Sequence, residues 1–175
     1  MKNLLLTLLL VVGLGGVSNA SESAGAQPPA VDEATMRQMI DGSIQRWKLA
    51  DGVSVEDAID SMTLRANFKN FKLVADLPLS EQVEAMGQEA NFMRILAFCD
   101  AVIAKKMVEH NIIFAGFLPC RIAVVEDSEG QGWIVTMNMD MMLQAVELPE
   151  DLQPLAQRVR DTIYSIVDAG VNGDL

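Results

Sequence analysis

Two apolar runs, residues 118–126 and 133–140, flank the polar segment Asp127-Ser128-Glu129-Gly130-Gln131-Gly132. A connection this short, rich in glycine and charge, can only turn the chain straight back. It therefore predicts a β-hairpin and commits this part of the fold to an antiparallel ladder. This favours an α+β arrangement over a fully parallel, doubly wound sheet, because parallel neighbours need a long crossover between them. The remaining segments alternate between helical and strand periodicity. Together these features predict an α+β domain, a two-layer arrangement of sheet and helices.

Helix signals are local and mostly caps. Asp32 can cap a helix with apolar positions at Met36, Met39, Ile40, Ile44 and Trp47, which Gly52 breaks. Ser54 and Asp57 have capping-box spacing before Val55, Ile59 and Met62. Residues 68–79 read as a strand closed by Pro78, followed by a short helical stretch to Gly87, and 92–98 as a compact apolar strand. Asp100 caps a helix reaching His110, with Ile103 and Met107 on one face, and Gly116 breaks the chain before the hairpin. A final helix begins near Pro149 with the stripe Leu152, Leu155, Val159, Ile163, Ile166 and Val167, and Gly170 ends it.

The first residues read as an export signal. Lys2 precedes an apolar run over 4–12, and Ser18-Asn19-Ala20 offers small residues for cleavage after Ala20. The run is too short for a comfortable membrane span, and no cysteine follows it to carry a lipid. The expectation is a periplasmic protein with no stable membrane insertion after cleavage. Its order is a signal peptide over 1–20, a tether over 21–31, an N-terminal helix extension over 32–52, the α+β domain over 53–148 and a C-terminal helix over 149–175. With 13 basic against 24 acidic residues the net charge is −11, which makes nucleic acid and anionic membrane surfaces poor partners. A basic periplasmic protein partner remains compatible with that charge.

The order of strand, helix, Leu118-Pro119-Cys120-Arg121, a short apolar strand, a charged hairpin and a strand ending near Asp140 resembles the domain of unknown function 302 family. Cys99-Asp100-Ala101 departs from the family's asparagine-proline lead-in to the preceding helix, since it lacks the proline. The resemblance spans roughly 53–148 and implies a compact two-layer α+β fold and a homodimer, with no established reaction or catalytic set. Exported members with both cysteines are similar to proteins of sulfur-oxidising bacteria.

Cys99 and Cys120 are the only cysteines. After export they would meet an oxidising compartment, so a structural disulfide is the leading expectation. It would close a loop of about 20 residues, worth roughly 3 kcal/mol in the chain-entropy model. Antiparallel neighbouring strands would bring the two within reach; parallel ones would hold them roughly 20 Å apart. The alternative is a thiol redox or sulfur-carrier function. Cys99 lies at a helix N-terminus and Arg121 adjoins Cys120, but Asp100 adds negative charge at that same helix end. Two inert buried thiols are the third reading.

Metal chemistry finds weak candidates in His110, Met137 and Met139. The single histidine sits at a helix end without partners, and the methionines share one strand face with Trp133 and Val135, opposite Thr136, Asn138 and Asp140, as core residues of a half-buried strand would. No cofactor is predicted, while non-covalent haem and copper stay open. Covalent haem and the common hydrolytic motifs lack their residues. The sequence thus points to a binding or accessory module and not to a conventional enzyme.

Overall fold

The structure, a computed structural model, describes residues 31–174. The expected signal peptide and all of the tether but Val31 lie outside the described residues. From Asp32 onward the chain forms one compact unit.

Helix α1 (Glu33–Gly42) opens on Asp32, whose carboxylate accepts from the Thr35 amide. It ends at Gly42, and residues 44–48 form strand β1 (Ile44–Lys48) instead of continuing the helix to Gly52. The helical spacing of Met36, Met39, Ile40, Ile44 and Trp47 misleads because it also satisfies a helix followed by a two-period strand. Trp47 pairs with Ile134 and packs against the core, whereas α1 itself buries no residue.

Helix α2 (Val55–Phe68) carries the expected capping box, with the Ser54 hydroxyl accepting from the Asp57 amide at 3.0 Å. Strand β2 (Lys72–Pro78) leads into the short helix α3 (Leu79–Ala85), and strand β3 (Met93–Cys99) into helix α4 (Ala101–His110). A 3-10 turn, Ile112–Phe117, runs through Gly116, where a break was expected. Strands β4 (Cys120–Glu126) and β5 (Gly132–Met137) are the predicted hairpin. Asp127 organises its turn: one carboxylate oxygen accepts from the Glu129 and Gln131 amides, the other from the Trp133 indole at 2.8 Å. Gly130 supplies the left-handed residue, φ 77°. Helices α5 (Met139–Gln144) and α6 (Gln153–Asn172) complete the chain.

The sheet order is β1-β5-β4-β3-β2, antiparallel throughout, so the α+β expectation holds. Leu96, Phe98, Ile122, Val124 and Ile134 form its inner face, with α2 and α6 packed over them. Gly170 sits where α6 comes closest. A Cβ there would lie 2.6 Å from Met62 and 2.8 Å from Ile134. It therefore permits close packing inside a helix that runs on to Asn172, rather than ending the helix as expected.

The inner face of β5 is the reverse of the expected one. Ile134 and Thr136 are buried, and Trp133, Val135 and Met137 lie on the outer face, half-buried. Thr136 tolerates burial because its hydroxyl donates to the Arg121 carbonyl at 2.6 Å. The strand also stops at Met137. Asn138 accepts from the Met141 amide and caps α5, so Met139 enters the core from a helix.

Candidate functional site

β3 and β4 are antiparallel neighbours, which meets the geometric condition for a Cys99–Cys120 bridge. Both cysteines are nevertheless free thiols. The register explains why. Phe98 faces Cys120 directly, and Cys99 lies one residue beyond it. Successive strand residues point to opposite faces, so a one-residue offset separates what a cross-strand bridge must align. The expected structural disulfide is absent from this structure.

The two thiols still border one cavity. It lies where β3 ends and β4 begins, beneath α4, the 3-10 turn, α5 and α6, and measures ≈ 60 Å³. Its walls are chiefly apolar, with Phe71, Ile103, Phe114, Leu118 and Val159 among them. Cys99, Asp100, Cys120, Arg121, Met137 and Met139 all border it too, so the structure gathers these sequence candidates in one place. His110 does not line it; its ring lies 6.4 Å from that of Phe114, centroid to centroid. Met107 and Met142 also line the cavity. In the linear sequence Met107 shows only as an apolar helix position and Met142 as part of a methionine run.

The electrostatics disfavour a thiolate. Asp100 caps α4 by accepting from the Val102 and Ile103 amides at 3.0 and 3.1 Å, so the helix-end donors are already engaged. Arg158 lies 3.6 Å from its other oxygen. Burial raises the Cys99 pKa, and the Asp100 charge raises it further. Burial, joined by Cys99, pushes the Cys120 thiol to about 11, against a smaller opposing effect of Arg121. Arg121 is exposed, and strand alternation assigns it to the sheet face opposite Cys120. Among the described residues no group of three or more histidine, cysteine, aspartate or glutamate side chains could hold a metal.

The family model for "Domain of unknown function DUF302" matches residues 47–170. The chain belongs to this DUF302 family. Its match takes in Trp47 on β1 and most of α6, so the DUF302 region is wider than the 53–148 over which the sequence resemblance was read. The crystal structure of an uncharacterized conserved DUF302 protein from Bacillus stearothermophilus is similar, with a TM-score of 0.59 and 18% identity over 72% of this chain and 96% of that one. At that identity the likeness concerns the fold alone. No curated protein matches.

Proposed function

We propose that this DUF302 protein is an exported, non-enzymatic binding or accessory module that holds a small ligand in the thiol-bordered cavity. One observation carries the reading: an apolar cavity draws its walls from seven elements of the fold and collects both cysteines. Its ≈ 60 Å³ falls well short of the roughly 300–1,000 Å³ of sites for drug-sized molecules and cofactors, which favours a ligand of few atoms over haem. Export rests on the leader. Among the described residues no helix is long and apolar enough to cross a membrane.

The module works as a homodimer in this reading. The outer face of the sheet carries Leu77, Ile95, Ala123 and Val135 as one cross-strand row. An antiparallel sheet that meets water on one side ordinarily alternates to polar residues there, so an apolar row favours a second layer, supplied by another copy. A sulfur-carrier or thiol redox role is the weaker reading, because both thiols are held protonated at neutral pH.

The test is thermal unfolding of the mature chain with small apolar probes such as dimethyl sulfide or cyclopentane. Saturable stabilisation that disappears when Ala156→Leu fills the cavity supports the reading. No stabilisation, or one that survives the filling, overturns it.

A further inference from the structure

Both cysteines and four of the 11 methionines, Met107, Met137, Met139 and Met142, fall among the residues lining this one cavity. Methionine is a common core filler, and four dispersed over the interior would mean nothing more. Here they come from two helices and the sheet, and border the same cavity as a buried thiol. Met139 and Met107 are 3% and 8% exposed, and Cys120 is 9% exposed. The lining holds no histidine and a single carboxylate, Asp100. Sulfur is therefore almost the whole of its donor inventory.

Resting on the cavity-binding reading above, we propose that the cavity is a site for one soft monovalent cation, cuprous ion or its analogue Ag⁺. Cys120 is the anionic donor, and Met107, Met139 and Met142 supply thioether donors. Soft thiolate and thioether sulfur select such ions, while hard or borderline divalent cations prefer the oxygen and nitrogen donors scarce here.

Charge balance points the same way. One thiolate and one monovalent cation make a neutral unit, which an apolar interior accepts far more readily than a net charge. A second thiolate from Cys99 would leave a negative charge beside Asp100, so Cys99 stays a rim thiol. Binding exchanges a proton for the metal. The Cys120 S–H bond breaks, an S–Cu bond forms, and one proton leaves to solvent with no change of oxidation state. Three free torsions let each methionine swing its sulfur onto the ion.

The test is titration of the reduced mature chain with Cu⁺ under anaerobic conditions against a competing chromophoric chelator, with Ag⁺ and Zn²⁺ in parallel. The expected result is one Cu⁺ per chain, a near-ultraviolet sulfur-to-metal band, release of one proton per ion, and Zn²⁺ binding far weaker. Cys120→Ser should abolish the band, Met139→Leu with Met142→Leu should weaken binding by roughly tenfold or more, and Cys99→Ser should change it little. Circular dichroism checks that each variant is folded, and the methionine pair decides the matter if Cys120→Ser is not. Failure of Cu⁺ to compete, indifference to the methionine pair, or Zn²⁺ binding as tightly as Cu⁺ overturns the proposal. If small apolar probes still stabilise the protein in that case, only the ligand class has failed; if neither binds, the cavity reading falls as well.

Discussion

Phe98 stands directly across the β3–β4 ladder from Cys120, and Cys99 lies one residue past that pair. The offset separates two cysteines that sequence proximity to neighbouring strand ends would join. The mature chain, unfolded and alkylated without reductant, should take up two adducts by intact mass. A chain that takes up none until it is reduced would show the register read here to be wrong.

Burial governs the chemistry of the two thiols. In the native state Cys99, half-buried, should alkylate before the buried Cys120, and both should react slowly at neutral pH. Rates should rise about tenfold per pH unit as the thiolate fraction grows. Linkage gives the stability consequence. The unfolded chain releases the Cys120 proton near its ordinary 9.0 while the folded chain holds it to about 11, so stability falls as pH rises between those values. The loss is at most roughly 3 kcal/mol. Urea unfolding across that window should show a steeper alkaline decline for the natural chain than for Cys120→Ala, and equal slopes would contradict the assignment.

The local signals of this fold were legible in the sequence because they are satisfied locally. The Ser54–Asp57 box, the Asp100 cap and the Asp127-to-Gly132 turn each place a side chain on amides within four residues of it. What depends on partners distant in sequence was not legible. Strand β1 is a strand because β5 lies beside it, and Thr136 is an inner residue because the Arg121 carbonyl is there to accept its hydroxyl. The cavity is the extreme case. Phe71, Met107, Cys120, Met142 and Val159 share no motif, and only the packing of α4, α5 and α6 over the sheet end brings them together.

That packing depends on the absence of a side chain at Gly170. Gly170→Ala would drive a Cβ to 2.6 Å from Met62 and 2.8 Å from Ile134, both fully buried, so these side chains would have to shift within a packed core. Alanine otherwise favours a helix interior by about 1 kcal/mol over glycine, so a surface site would gain stability. Here overpacking wins, and a net destabilisation of roughly 1–2 kcal/mol is expected from urea midpoints. A stabilised variant would mean that α6 sits farther from the sheet.

The outer sheet face makes a prediction of its own. Val135→Glu sets a charge at the end of the apolar row, between Arg46 and Ala123, where a second sheet would have to desolvate it. Sedimentation equilibrium should give a dimer for the natural chain and a folded monomer for the variant. A natural chain that is monomeric at all concentrations would remove the dimer from the account.

The ligand cavity itself is reached most directly through its methionines. With methyl-¹³C methionine in the mature chain, dissolved xenon should shift the methyl signals of Met107, Met139 and Met142 saturably. Met36, Met39 and Met86, which are exposed, should stay in place. Ala156→Leu should remove the effect. Shifts of all methionines alike, or none at the three cavity positions, would contradict the claim that this thiol-bordered space is the protein's binding site.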